Sequence, residues 1–175
     1  MARLYLLRHA QALSGAGGGD SERALSERGQ RDAVALGNWL RRQGIVLDEA
    51  VCSPARRARE TWELLASRLD APPEAVNEPL IYDAGPDRLI AWLGSRAGAP
   101  ESLIVIGHNP TLHQVAFALS GTGDRQAIDR LTTGFPPGGL VELHLPGDWS
   151  TLRPGAGELR RFTIPQDLEH GRKRT

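Results

Sequence analysis

The sequence is poor in cysteine, in lysine and in long apolar runs. Cys52 is the only cysteine, so no disulfide can form within the chain, and we expect a reducing, cytoplasmic compartment. No apolar run approaches the roughly 20 residues that a membrane span requires. No long apolar run precedes Arg8, which predicts that the chain carries no secretory signal.

An excess of charge of either sign is also missing. Lysine and arginine together number 21, and aspartate and glutamate together number 21, so the formal net charge is zero. This balance favours neither a nucleic acid nor an anionic membrane as a partner. A length of 175 residues suits one domain. We predict a single domain over residues 1–165 and a polar, disordered tail over residues 166–175; the sequence carries no signal for the oligomeric state.

Strand-like and helix-like segments alternate along the chain. This order predicts an α/β fold, a three-layer α/β/α sandwich around a mostly parallel sheet. Residues 4–7 read as the first strand, and residues 102–107 read as a central strand because they are apolar throughout. Residues 76–82 read as a third strand or an extended segment, and Pro79 weakens the strand interpretation. Ser26 and Ser53 are predicted to cap the helices that follow them.

Cationic and nucleophilic side chains follow three of the predicted strands. Arg8 and His9 end the first strand, an arginine-rich segment at residues 53–59 follows the second, and His108 ends the fourth. Ligands of open α/β sheets bind at the carboxyl ends of strands. Arginine forks and helix N-termini suit phosphate oxygens, and a histidine is a nucleophile near neutral pH. The pattern predicts a phosphate site; no acidic cluster accompanies it, so we predict neither a metal nor another cofactor.

Three motifs stand in a fixed order: Leu7-Arg8-His9-Ala10, Ser53-Pro54-Ala55-Arg56-Arg57-Ala58 and Gly107-His108-Asn109-Pro110. They resemble the motifs of the histidine phosphatase superfamily, which has the phosphoglycerate-mutase-like fold. The resemblance runs from residue 3 to about residue 164. The small size, the Asp-x-x-Arg-x-Leu-Ser segment at residues 20–26 and the late Asp148-Trp149 look most like its short bacterial phosphohistidine phosphatase branch.

The resemblance implies roles for particular residues. His9 would attack phosphorus and form a phosphohistidine enzyme, while Arg8, Arg57 and His108 would hold the phosphoryl oxygens. Arg57 fits the family pattern Ser-Pro-x-x-Arg-Ala better than its neighbour Arg56.

Three further residues are predicted to contact substrate. They are Ser53, Asn109 and Arg23. For Arg23, contact with the distal part of the substrate and a plain surface role stay open alternatives.

One departure from the family concerns the general acid. Many members carry a glutamate just after the third strand, where this chain has Tyr82 and Asp83. An alkoxide leaving group needs a proton, whereas an imidazole can depart neutral. The sequence therefore favours phosphohistidine on a protein, such as a histidine-containing phosphotransfer domain of a signalling relay. A small phosphate ester, such as a sugar phosphate, is the alternative substrate.

Other classes of protein fit the sequence less well. A cysteine phosphatase would need an arginine six residues after Cys52, where Ala58 stands. A non-catalytic module that binds phosphorylated partners would not need both histidines. A phosphoglycerate mutase would need the acid and a closing lid, and the segment between the third and fourth strands is too short for a lid.

Overall fold

The computed structural model describes residues 1–15, 17–96, 98 and 100–170. Its strands are β1 Ala2–Arg8, β2 Glu49–Cys52, β3 Ala75–Asn77, β4 Ser102–Gly107, β5 Ser120–Gly123, β6 Leu140–Leu145 and β7 Gly157–Thr163. Its α-helices are α1 Glu27–Arg42, α2 Arg56–Ala66, α3 Leu80–Asp83, α4 Pro86–Gly94, α5 Thr111–Leu119, α6 Arg125–Thr133 and α7 Pro165–His170. A 3₁₀ turn, Asp20–Glu22, precedes α1.

The strands form one sheet in the order β3-β2-β4-β1-β6-β7-β5. Only β6 runs antiparallel to its two neighbours; the other pairings are parallel. Every residue of β4 is buried, which confirms its predicted central place. Because β2, β4 and β1 are neighbours and parallel, their carboxyl ends meet at one edge of the sheet.

Helices cover both faces of the sheet, as the sequence predicts. Alternate side chains of a strand point to opposite faces. Leu4 and Leu6 of β1 join an apolar cluster with α4, α5 and α6, whereas Tyr5 and Leu7 join a cluster with α1 and α2. Burial of each such leucine contributes about 1.5–3 kcal/mol. Within the described ranges, no helix has the length and apolarity to cross a membrane.

The N-terminal caps of α1 and α2 confirm one prediction and show another to be wrong. Ser26 caps α1 as predicted, since its Oγ accepts a hydrogen bond from the Gly29 N–H at 3.1 Å. Ser53 does not cap α2, which begins at Arg56 with Ala55 as its N-cap residue. The Ser53 side chain instead faces the site described below.

Three segments differ from the sequence predictions. Residues 76–82 are only partly a strand, because Pro79 begins a helical turn whose Ile81 is buried. The sequence does not predict strand β5, since its residues Ser-Gly-Thr-Gly lack apolar alternation. Residues 166–170 of the predicted disordered tail are helical, because Leu168 packs against the cluster that contains α1. Residues 171–175 lie outside the described residues, and the domain boundary at 165 stays a prediction.

Candidate active site

Three strand ends bring the predicted cations and nucleophile together. Arg8 ends β1, and the His9 N–H bonds to the Gly107 carbonyl of β4 at 3.0 Å. Arg57 lies in the first turn of α2, directly after β2. The rings of His9 and His108 have centroids 5.2 Å apart. We call Arg8, His9, Arg57 and His108 the strand-end group.

The hydrogen bonds of His9 determine which ring nitrogen carries the proton. Its side chain is buried, and Nδ1 lies 2.7 Å from the Ala10 carbonyl oxygen, which can only accept. Nδ1 therefore carries the proton, and Nε2 presents a lone pair that accepts from Arg57 Nε at 3.2 Å. Burial, with the nearby guanidinium charges, lowers the pKa of His9 to about 4. The ring is neutral at pH 7 and can act as a nucleophile through Nε2.

Arg57 connects the histidines to the 3₁₀ turn. It is 6% exposed, and its Nη2 contacts His108 Nδ1 at 3.3 Å. Nη2 also donates to Asp20 Oδ2 at 2.9 Å, and Nη1 donates to the Asp20 carbonyl at 2.7 Å. Every nitrogen of this guanidinium therefore has a partner at the centre of the site.

Ser53 lies behind His108. Because Arg57 only donates, His108 Nδ1 accepts, and its Nε2–H donates to Ser53 Oγ at 2.7 Å. Ser53 is fully buried, and its Oγ also accepts from the Ala55 N–H at 3.2 Å. Burial, followed by the neighbouring His9 and Arg57, lowers the pKa of His108 to about 3. These contacts show Ser53 orienting His108; its predicted contact with substrate stays a prediction.

Arg8 and Asn109 share one acceptor. Arg8 Nη1 and Asn109 Nδ2 each donate to the Phe135 carbonyl at 2.8 Å. Arg8 Nε is buried and has no hydrogen-bond partner within the described ranges. The Asn109 amide group thus donates to the loop after α6. The predicted contact of Asn109 with substrate stays a prediction.

A second set of side chains covers the open side of the site. Asp20 Oδ1 accepts from Arg23 Nη1 at 3.1 Å, and Asp20 Oδ2 accepts from the Tyr82 hydroxyl at 2.8 Å. The Tyr82 ring meets His108 edge-on at 5.4 Å. We call Asp20, Arg23 and Tyr82 the turn group. Hydrogen bonds from Tyr82, Arg23 and Arg57 hold the pKa of the Asp20 carboxyl well below its usual range.

The two candidate general acids, Tyr82 and Asp83, lie in different places relative to the site. Tyr82 reaches the site, whereas Asp83 is exposed on the same short helix, and no described contact joins it to the strand-end group. The hydrogen bond to Asp20 raises the pKa of the Tyr82 hydroxyl, because it stabilises the protonated form. Tyr82 is thus a weaker acid here than an ordinary tyrosine.

Sequence reasoning misses three residues that build the site. The sequence does not single out Asp20, although it stands three residues before Arg23 in the Asp-x-x-Arg-x-Leu-Ser segment. Thr61 joins the segment after β1 to α2, since its Oγ1 accepts from the Ala10 N–H at 3.1 Å and donates to the Arg57 carbonyl at 2.6 Å. A Cβ at Gly107 would lie 2.8 Å from the Ile81 side chain, so glycine permits the close approach of α3.

The site offers an anion several donors and a neutral nucleophile, but no thiolate. Cys52 is buried, and burial raises the pKa of its thiol to about 12, which excludes it as a nucleophile near neutral pH. Within the part of the chain that the structure describes, no group of three or more histidine, cysteine, aspartate or glutamate side chains could hold a metal ion. Guanidinium groups supply the positive charge around His9.

Known proteins are similar to this chain in sequence and in fold. Residues 4–78 match the model of the histidine phosphatase superfamily, branch 1. An uncharacterised protein of Mycobacterium tuberculosis is 34% identical over 163 residues, which cover 91% of this chain and 100% of that protein.

Several solved structures are similar to this one, and two of them illustrate the likeness. A candidate phosphohistidine phosphatase SixA from Nakamurella multipartitia has a TM-score of 0.78 at 28% identity, covering 94% of this chain and 96% of that chain. The protein histidine phosphatase SixA complexed with tungstate has a TM-score of 0.76 at 23% identity, covering 95% of this chain and 99% of that chain. The fold is therefore phosphoglycerate-mutase-like.

Proposed function

The chain belongs to the histidine phosphatase superfamily, and we propose that this phosphatase acts through a covalent phosphohistidine on His9 to remove phosphate from phosphohistidine on a protein. The observation that carries the mechanism is the state of His9. Its proton lies on Nδ1, and its unprotonated Nε2 faces Arg57.

The first step transfers the phosphoryl group to His9. Nε2 attacks phosphorus, a new Nε2–P bond forms, and the P–N bond to the substrate imidazole breaks. The ring of His9 then carries positive charge, which the Ala10 carbonyl stabilises through the Nδ1–H bond. Water attacks phosphorus in the second step, and inorganic phosphate leaves neutral His9 behind.

Three cationic or polar groups hold the phosphoryl oxygens in this mechanism. Arg57 and the unpartnered Nε of Arg8 donate to oxygens on which charge develops. A bound dianion also favours a proton on His108 Nδ1, the nitrogen that faces Arg57, while Ser53 keeps the other nitrogen oriented.

The acidic side chains at the site indicate which leaving group the enzyme can release. Asp20 contacts Arg57, but its lowered pKa keeps it ionised, so it has no proton to give at neutral pH. Tyr82 holds its proton more tightly than usual, and Asp83 is exposed. An alkoxide leaving group would lose the factor of about 10²–10⁴ that a general acid contributes. An imidazole protonated on its other nitrogen departs neutral without that help.

The packing around the site favours a protein substrate. Between β3 and β4 the described residues form the helices α3 and α4, whose apolar side chains enter the core. The apolar part of this segment is therefore committed to packing, and Tyr82 is the side chain of the segment that the described contacts place against the strand-end group. A site open on this side accommodates a phosphohistidine that projects from a folded surface.

The test compares substrates in kcat/KM. The protein is assayed in EDTA on a phosphohistidine-containing phosphotransfer domain and on a panel of small phosphoesters, including sugar phosphates. We expect the phosphohistidine protein to be preferred by orders of magnitude, because kcat/KM reports differential transition-state binding.

Each other outcome favours a different account. A small ester that reacts faster would overturn the phosphohistidine assignment in favour of a phosphomonoesterase. Binding without phosphate release from any substrate would identify a non-catalytic module. Activity lost in EDTA and restored by a divalent ion would contradict the metal-free mechanism.

A further inference from the structure

The Asp20 carboxylate occupies Nη2 of Arg57, a donor that the proposed mechanism assigns to a phosphoryl oxygen. Its Oδ2 accepts from Arg57 Nη2 at 2.9 Å and from the Tyr82 hydroxyl at 2.8 Å. Arg57 Nη2 is the same atom that lies 3.3 Å from His108 Nδ1. Among the described contacts, Asp20 is the one carboxylate that touches the strand-end group.

A phosphoryl oxygen and this carboxylate oxygen have the same requirements. Both are anionic acceptors, and guanidinium forks bind carboxylates and phosphates in the same way. The two anions would repel each other at these distances, since Arg57 Nη2 cannot serve both without bringing their oxygens close together. Asp20 therefore competes with substrate for Arg57.

We propose that the Asp20 side chain is a displaceable carboxylate that occupies the phosphoryl-binding position until a phosphorylated substrate enters, and that it thereby determines the anion affinity of the site. This inference rests on the proposed function, because it assumes that a phosphoryl group binds Arg57 beside His9. It adds a residue that sets affinity, on the open side of the site.

The geometry allows the displacement without unfolding the turn. The Asp20 side chain is 53% exposed, so rotation away from Arg57 carries the carboxylate into water. The Asp20 carbonyl is held separately by Arg57 Nη1 at 2.7 Å, so the main chain keeps its place while the side chain moves.

An anion binds only those molecules in which Asp20 has left Arg57. The apparent Kd for every anion is therefore the intrinsic Kd divided by the fraction of such molecules. If that fraction is about one tenth, the apparent Kd rises about tenfold. Free inorganic phosphate, the product, brings no further contacts to offset this loss. A phosphorylated protein does bring them, so the site stays clear of product but open to substrate.

A permanent structural role for Asp20 predicts the opposite effect. If Asp20 stays on Arg57 throughout and only positions the guanidinium, removing its charge should weaken phosphate binding. The sign of the change in Kd separates displacement from positioning when it is read against Glu22→Gln, which removes the same charge from the same turn without a described hydrogen bond or ion pair to Arg57.

The experiment measures inorganic phosphate binding by isothermal titration calorimetry. It uses the full chain, the variants Asp20→Asn and Asp20→Ala, and Glu22→Gln as the matched control. Glu22 lies in the same turn and carries the same charge, but none of the described hydrogen bonds or ion pairs joins it to Arg57. Melting temperatures check that each variant is folded.

We expect both Asp20 variants to bind phosphate about tenfold more tightly than the parent, and Glu22→Gln to stay within about twofold. An unchanged or weaker affinity in the Asp20 variants overturns the proposal, as does an equal gain in Glu22→Gln. Binding by none of the four proteins overturns it together with the phosphate site. Tighter binding in the Asp20 variants, with no turnover of phosphohistidine by the parent, would support Asp20 displacement and refute the proposed function.

Discussion

The strand-end group and the turn group form two halves of the site, and different structural elements hold them in place. The strand-end group lies at the carboxyl ends of β1 and β4 and in the first turn of α2, and both His9 and Arg57 are less than 10% exposed. The turn group stands on a 3₁₀ turn and a four-residue helix, and the Asp20 side chain is 53% exposed. Burial on regular elements suits groups that must keep one geometry during reaction. Exposure on short elements suits groups that yield to substrate.

The largest effect should come from the nucleophile. We expect His9→Ala to lower kcat/KM on the phosphohistidine protein by at least about 10³-fold, because no other described side chain offers a neutral nitrogen beside Arg57 Nε. The change is measured with phosphate release under single-turnover conditions.

His144→Gln is the control for this prediction. His144 lies on β6 and pairs with Glu142, away from the strand-end group, so its loss should leave turnover within about threefold. Near-full activity in His9→Ala would refute the role of the strand-end group.

Arg57 should follow as the second largest effect. Arg57→Lys keeps the charge but loses the fork that reaches both histidines and Asp20, so we expect kcat/KM to fall by about 10²–10³-fold. The neighbouring Arg56 is exposed and bonds to Glu60, so Arg56→Lys should change kcat/KM by less than about threefold. Equal losses in the two variants would contradict the assignment of Arg57.

The pH dependence tests the burial of the strand-end group. Because the pKa of His9 is lowered to about 4, His9 should stay neutral and nucleophilic as pH falls through 6.5 and become protonated only near pH 4. NMR titration of its ring measures this directly, with the urea-unfolded chain as the reference, where His9 should titrate near about 6.5. The unfolded chain takes up that proton first, so stability should also fall from about pH 6.5 to 4. A folded-state midpoint near 6.5 would show that His9 is not desolvated.

The turn group should give the smallest effect on chemistry. We expect Tyr82→Phe to change kcat/KM by no more than about threefold on either substrate class, because it removes only a hydrogen bond to Asp20. Asp83→Asn on the same helix serves as the comparison. A selective loss of about 10²-fold or more on esters would identify Tyr82 as a general acid and remove the preference for imidazole.

The sequence predicts the two halves unequally, for a physical reason. The apolar runs of β1 and β4 determine buried strands, and strand ends place the polar residues that follow them, so the sequence alone predicts that His9 and His108 lie together. It does not predict the place of Asp20, since the Gly-rich segment before this residue leaves the path of the chain open. The contact of Asp20 with Arg57 spans 37 residues of sequence.

Local signals also mislead where tertiary packing decides the outcome. Ser53-Pro54 is a common helix start, but the buried Ser53 hydroxyl is used by His108 Nε2. Residues 76–82 have strand-like composition, yet the missing Cβ of Gly107 lets Ile81 pack as part of a helical turn. In both cases the deciding contact comes from β4 or the residue after it, more than 20 positions away.

The most direct test of the account is to trap the phosphoryl group on the enzyme. The protein is mixed with phosphohistidine protein, quenched in alkali within one turnover, and analysed by intact mass and peptide mapping. We expect one acid-labile, base-stable phosphoryl group on the peptide that contains His9, and its absence from His9→Ala. A phosphoryl group on another residue, or turnover with none trapped under any quench condition, would contradict the covalent mechanism.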